Sequence, residues 1–220
     1  MVGAIFIGTF LPLVLLMLLL RHSRPVFACF CWGMVAFLAI HLVSPFLYSL
    51  ASIPDELKFQ AVFIGPPLEE LLKSIPVLVA PFVAQRSFVP FFYILGMASG
   101  IGFAVEENLN YLVAYHEDAG NSMGLMVLRS LSTCLMHGIA SGLIGFSFTL
   151  GRRGGGPWLL VFPVVGWILA SLYHGLFNWL VLSDLLAVAV CLALLVFVLF
   201  LHGMKVLEPK AAETRGTVWE

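Results

Sequence analysis

Long apolar runs separated by short polar breaks constrain this chain more than any other feature of its sequence. Each run has about 20 residues or more, the length that an α-helix needs to cross the hydrocarbon core of a bilayer. The runs are Val2–Leu20, Val26–Leu50, Ala61–Ala84, Phe88–Tyr115, Leu125–Leu150, Trp158–Leu182 and Leu185–Met204. Because backbone polar groups in lipid must be bonded within the protein, the pattern predicts an all-α bundle of about seven transmembrane helices.

The composition leaves no room for a water-soluble fold. Hydrophobic residues make up 61% of the chain and charged residues 10%, whereas soluble domains are roughly one-quarter charged. The spans use most of the 220 residues, so residues 1–207 are predicted to form a single transmembrane domain. The polar segment 208–220 is predicted to be a disordered cytoplasmic tail. The net charge of −1 and the scattered basic residues exclude nucleic acid as an expected partner.

Loop charges predict how the helices are oriented in the lipid bilayer. Basic residues of alternate loops accumulate on one side of the bundle, whereas the other side has Lys58. The residues of the basic side are Arg21, Arg24, Arg86, Arg152, Arg153, Lys205, Lys210 and Arg215. By the positive-inside rule this side is cytoplasmic. The N-terminus is therefore expected outside and the C-terminus inside.

Several charged residues fall inside the predicted spans, where each is costly unless it is paired, buried in protein or reached by water. They are Glu69, Glu70, Lys73, Glu106, Glu107 and Arg129. Two histidines, His137 and His174, also lie well inside the fifth and sixth spans. At a rise of about 1.5 Å per residue, these glutamates and histidines reach similar depths in the outer half of the bilayer. We therefore expect four helices to bring polar groups together there.

The spacing of these residues indicates acid–base chemistry. Lys73 follows Glu69 by four positions and Glu70 by three, so its ammonium can neutralise one carboxylate while the other remains a base. His174 and Asn178 are four positions apart and share a helix face. Both side chains can therefore donate hydrogen bonds to the same oxyanion. The spacing does not decide which of the two glutamates is the base.

Small residues predict a close contact between the fourth and fifth spans. Gly96 and Gly100 are four positions apart, as are Gly138 and Gly142. Faces of this kind let two helix backbones approach closely in a membrane. We therefore expect the two helices to pack tightly around the polar residues.

Four stretches of the chain resemble the motifs of the PrsW family of intramembrane proteases. Residues 67–73, PLEELLK, are similar to an EExxK motif, and residues 103–108, FAVEEN, are similar to FxxxEN. His137 and His174 resemble the two later histidine motifs of the family. The four motifs occur in order on four spans and cover about half of the chain. The resemblance implies an intramembrane protease of the prokaryotic cytoplasmic membrane.

The family is related to the type II CAAX prenyl proteases and abortive-infection proteins, whose motifs supply a glutamate base and an oxyanion-binding His and Asn. Glu107 stands where the CAAX pattern has a histidine, and Lys73 comes one residue earlier than its arginine. Both departures favour the PrsW branch. The resemblance implies catalytic roles for Glu69, Glu70, Lys73, Glu107, Asn108, His137, His174 and Asn178.

The resemblance also implies a reaction and a substrate. A glutamate, either Glu69 or Glu70, activates a water molecule that hydrolyses a peptide bond, while His174 with Asn178 stabilises the oxyanion. The expected substrate is a membrane-anchored protein such as an anti-sigma factor, cut near the outer side of the membrane. Neither the cleavage site nor the oligomeric state follows from the sequence.

Two alternatives remain open. The same residue types can bind a divalent metal ion such as zinc, and the ligands in that case are expected to be Glu70, Glu107, His137 and His174. Intramembrane carboxylates and histidines can also relay protons in an ion-coupled transporter. No internal repeat of the kind common in transporters is visible, which favours the protease.

Overall fold

The computed structural model describes residues 14, 24–54, 56–83, 92–114 and 122–207. Within these ranges the chain is almost entirely helical and contains no strand, as predicted. The first predicted span, Val2–Leu20, has one described residue, and the predicted tail lies outside the described residues.

The helices follow one another along the chain with short connections. They are α1 (Arg24–Leu50), the single turn α2 (Leu57–Phe59), a π-helical segment (Gln60–Ile64), α3 (Gly65–Val83), α4 (Phe92–Ala114), α5 (Ser122–Gly154), α6 (Trp158–Val181) and α7 (Leu186–Leu207). Within the described ranges, α5 lies at the centre of the bundle, in contact with α3, α4, α6 and α7, while α1 packs on α4.

Four described helices are long and apolar enough to cross a membrane. The segments are Arg24–Leu50, Val127–Gly154, Trp158–Val181 and Leu186–Lys205. They carry large apolar side chains on the surface, such as Leu42, Leu160 and Val198. A soluble monomer rarely exposes so much apolar surface, so these faces are suited to lipid and the protein is an integral membrane protein. The count of seven spans and the orientation of the termini stay predictions.

The third predicted span does not run as one regular α-helix. The π-helical segment precedes α3, and the N–H of Gly65 donates to the carbonyl oxygen of Gln60, five residues back. Pro66 and Pro67 follow directly. Proline has no N–H, and its ring clashes with the carbonyl four residues earlier, so a widened turn accommodates the two prolines. This local detail was not predicted.

The helix α5 ends later than its predicted span, at Gly154. The turn that follows contains Gly155 and Gly156, with φ angles of 65° and 51°. These left-handed values carry little penalty for glycine, so the glycines stop the helix and lead into α6.

The predicted close contact between the two glycine-bearing helices is confirmed. A Cβ atom added to Gly96 would collide with the carbonyl oxygen of Ser141, and one added to Gly100 would collide with that of His137. The two glycines of α4 therefore let the backbone of α5 approach closely at Ser141 and His137, whose side chains reach the polar cluster.

Candidate active site

A buried ion pair within α3 forms the centre of the site. The Nζ atom of Lys73 lies 2.6 Å from Oε1 of Glu70, and both side chains are fully buried. Their spacing of three residues places them on one helix face, as predicted. Because a buried charge without a partner is very costly, this pair must be held by further hydrogen bonds.

Three helices supply donors to the Glu70 carboxylate. Lys73 of α3 and Nδ1 of His174, on α6, both bond to Oε1, the latter at 3.0 Å. The hydroxyl of Ser141, on α5, donates to Oε2 at 2.8 Å. An ionised carboxylate only accepts hydrogen bonds, so Nδ1 of His174 carries the proton. In the neutral ring the lone pair is then on Nε2.

Lys73 also fixes the state of the other histidine. Its Nζ atom lies 2.8 Å from Nδ1 of His137 and 4.4 Å from the centre of the Phe103 ring. An ammonium has no acceptor, so Nδ1 of His137 must accept from it. The proton of the neutral imidazole is therefore on Nε2, which donates to Oε2 of Glu107 at 2.6 Å.

The network ends in a second ion pair nearer to solvent. Oε1 of Glu107 accepts from a guanidinium nitrogen of Arg129 at 2.7 Å, and the guanidinium covers the ring of Tyr111 at 4.1 Å. The Glu107 side chain is 31% exposed and that of Arg129 17%. The polar groups thus run from a dry centre at Glu70 to an accessible edge at Glu107.

Glu69 differs from its neighbour in sequence. Its Oε2 atom lies 3.7 Å from Nε2 of His174, beyond a normal hydrogen bond, and its side chain is 21% exposed. Among the described residues Glu69 accepts no side-chain hydrogen bond, whereas Glu70 accepts three. The carboxylate of Glu69 and the Nε2 lone pair of His174 therefore remain available to a ligand.

A cavity of about 460 Å³ lies beside the accessible edge of the network. Polar side chains contribute to its wall: Glu107, Tyr111, Arg129, Ser132, Thr133 and Asn178. It lies where α4 and α6 approach their last residues, next to α2 and the π-helical segment. The Glu107 carboxylate, which is 31% exposed, is part of the cavity wall.

Three side chains of the site can hold a metal ion together. Ligand atoms of Glu69, His137 and His174 all lie within 4.8 Å of one another. The acidic ligands expected from the sequence, Glu70 and Glu107, each bond to one of the histidines and also pair with Lys73 and Arg129. Their role as metal ligands stays a prediction. The acidic residue next to both histidines is Glu69.

The two asparagines of the predicted site occupy different surroundings. Asn178 lines the cavity, and its amide donates to the carbonyl oxygen of Ala61 at 2.9 Å, tying α6 to the π-helical segment. Asn108 is fully buried and bonds to Thr133 and Cys134 of α5. In the described structure Asn108 therefore joins α4 to α5.

Ser141 is the member of the cluster that sequence reasoning missed. A serine in an apolar span carries no charge and does not draw attention. Its signal is the spacing of four residues from His137, which places both side chains on one face of α5.

Comparison with protein families places these observations in context. The model of the PrsW family of intramembrane metalloproteases matches residues 21–204, most of the chain and all four helices of the cluster. Comparisons with curated proteins and with solved structures found no match. The apolar helices, the buried Glu and His cluster and the family match agree, and the chain belongs to the PrsW family of intramembrane metalloproteases.

Proposed function

We propose that this protein is an endopeptidase that hydrolyses a peptide bond of a membrane-anchored protein at Glu69 and His174. One observation carries the proposal: among the described residues the Glu69 carboxylate accepts no side-chain hydrogen bond, and its Oε2 atom lies 3.7 Å from Nε2 of His174. A pair of this kind can act on a water molecule or a metal ion between them. Family membership favours this function over an ion-coupled transporter.

Glu69 is the proposed base. The oxygen of the attacking water forms a bond to the carbonyl carbon of the substrate while Glu69 takes a proton from that water. The same proton then passes to the leaving nitrogen as the C–N bond breaks, which restores the carboxylate. Glu70 is unsuited to this role, because Lys73 and His174 already donate to one of its oxygens and Ser141 to the other, so an added proton would compete with these donors and weaken the buried ion pair.

In a second form of the proposal, a divalent metal ion such as zinc would occupy the same place, and Glu69 would then be a ligand of the ion instead of the base. Two ligands each about 2.0–2.2 Å from one zinc ion can lie as far apart as Glu69 and His174 do. The third ligand, His137, must give up its bond to Lys73 or to Glu107, because both of its nitrogens are engaged. When bound, the ion supplies a Lewis acid for the peptide carbonyl.

The role proposed for His174 depends on its protonation state. Neutral His174, with its proton on Nδ1, can be a ligand through Nε2 but cannot donate to an oxyanion there. Stabilising the oxyanion together with Asn178 requires the protonated ring. The metal-bound and metal-free forms of the proposal therefore make opposite demands on this residue, and a chelator separates them.

The proposed substrate is a membrane-anchored protein, such as an anti-sigma factor, in a prokaryotic cytoplasmic membrane. Its scissile carbonyl must be free of helical hydrogen bonds, so an extended or helix-broken stretch is the proposed cleavage region. The cavity beside Glu107 supports water entry from the end of the bundle where α4 approaches its last residues. By the loop charges this end is the outer side.

The test is cleavage of a single-span reporter by the purified full-length protein in detergent. Wild type is expected to produce fragments, and a metal chelator is expected to stop cleavage until zinc is added back. Cleavage that persists in chelator would favour the metal-free form with protonated His174. Absence of fragments from a range of reporters, with proton flux in vesicles, would support the transporter instead.

A further inference from the structure

We propose that Ser141 is a positioning residue that orients the Glu70 carboxylate and thereby aims Nε2 of His174 at Glu69. The inference rests on the proposed function, because it assigns the arrangement that keeps the reacting pair in place. Ser141 belongs to none of the four motifs of the sequence.

The two carboxylate oxygens of Glu70 have different hydrogen-bond donors. Lys73 and His174 both bond to Oε1. Among the described residues, Ser141 alone donates to Oε2, at 2.8 Å. Two donors on a single oxygen leave the carboxylate able to turn about its last torsion, which is soft. The Ser141 hydroxyl is therefore the contact that fixes the plane of the carboxylate.

The plane of Glu70 sets the orientation of His174. The imidazole donates from Nδ1 to Oε1, so a turn of the carboxylate moves the acceptor to which the ring is bonded. Nε2, at the other side of the ring, then moves relative to Oε2 of Glu69. Disturbing a carboxylate that orients a metal-binding histidine typically lowers the metal affinity by about 10–100-fold.

The surroundings of Ser141 favour its hydrogen bond to Glu70. Its side chain is fully buried, where an unbonded hydroxyl costs free energy. The helix α4 seats the backbone of Ser141 closely, since Gly96 has no Cβ atom to strike its carbonyl oxygen. Helix packing thus sets the depth of Ser141 in the bundle.

Ser99 provides a matched control. It is equally buried, and its hydroxyl also makes a hydrogen bond of 2.8 Å. That bond ends on the backbone carbonyl of Lys73, away from the carboxylates. Ser141→Ala and Ser99→Ala therefore remove the same atom and one hydrogen bond each, but Ser141→Ala alone releases Glu70.

The experiment uses full-length protein in detergent and three measurements: zinc affinity, reporter cleavage, and the ¹⁵N spectrum of its histidine rings in metal-free protein. Ser141→Ala is expected to weaken zinc binding about 10-fold or more, to lower kcat, and to reduce the Nδ1–H signal of His174. Ser99→Ala is expected to leave all three near wild type. Thermal unfolding identifies any common loss of stability.

Equal effects of the two variants on zinc affinity and on the His174 signal would overturn the role of Ser141. A wild type that neither binds zinc nor cleaves the reporter would refute the metal-dependent protease instead. In that case the ¹⁵N signal of His174 still decides whether Ser141 orients the ring, so the two failures are distinguishable.

Discussion

His137 and His174 stand edge to face, with ring centres 4.7 Å apart and 82° between the ring planes, yet their hydrogen bonds require opposite tautomers. His137 accepts from Lys73 at Nδ1, whereas His174 donates to Glu70 from Nδ1. One ring is therefore engaged at both nitrogens and the other at one. We expect this asymmetry to govern how the residues around each ring respond to substitution.

The two adjacent glutamates are expected to respond differently to amidation. Glu69→Gln should lower kcat/KM for reporter cleavage at least about 100-fold, since a proton acceptor is lost, with Tm unchanged. Glu70→Gln should lower both activity and Tm, because it leaves the buried Lys73 ammonium without its charged partner. Glu106→Gln on α4 is the control and should stay near wild type. A Glu69→Gln variant that cleaves normally would rule out Glu69 as the base.

Removing the buried Lys73 cation should lower the unfolding free energy, and removing both charges of the pair should lower it less. Lys73→Met leaves Glu70 charged and unpaired in a dry site, with an expected loss of about 3–5 kcal/mol in unfolding free energy. The double variant with Glu70→Gln should regain part of this loss, since neither charge remains. The unfolding free energies of wild type, the two single variants and the double variant can be measured in detergent. Strictly additive losses would contradict direct coupling of the two residues.

Arg129 is expected to support the site without taking part in the reaction. Its pair with Glu107 lies at the accessible edge, where an ion pair contributes less than a buried one. Arg129→Gln should retain cleavage within about 10-fold of wild type, in keeping with a contribution of about 1 kcal/mol or less. Reporter cleavage and membrane insertion are the measurements. An inserted but inactive variant would instead indicate that Arg129 contacts the substrate.

The close contact between α4 and α5 can be tested by adding a single methyl group at a glycine of α4. Gly100→Ala places a Cβ atom against the backbone of His137, so α5 must shift, with an expected loss of about 1–3 kcal/mol and reduced cleavage. Gly124→Ala is the control, because no atom of the described part of the chain lies within 4 Å of its added Cβ. The control should be unchanged or slightly stabilised, since alanine favours a helix over glycine. Similar losses of stability and cleavage in both variants would show that the close contact at Gly100 is not their cause.

Much of this architecture follows from the sequence because its physical causes are local. Apolar length predicts the helices, and spacings of three and four residues predict that Lys73 pairs with one of the two adjacent glutamates. The division between Glu69 and Glu70 does not follow, because neighbouring residues point about 100° apart on a helix and tertiary packing sets the rotation of α3. Ser141 escaped notice because an uncharged hydroxyl in a span carries little cost of its own.

The contacts from Arg129 to Glu69 link acidic and basic side chains whose charges are unequal in number. Three carboxylates, Glu69, Glu70 and Glu107, face two permanent cations, Lys73 and Arg129. Counted over the described residues and with neutral histidines, the cluster carries one excess negative charge, next to Glu69, which accepts no side-chain hydrogen bond from them. A medium of low dielectric constant makes such an excess attract a positive partner. The excess negative charge of the cluster therefore favours the binding of one more positive charge, either a proton or a metal ion.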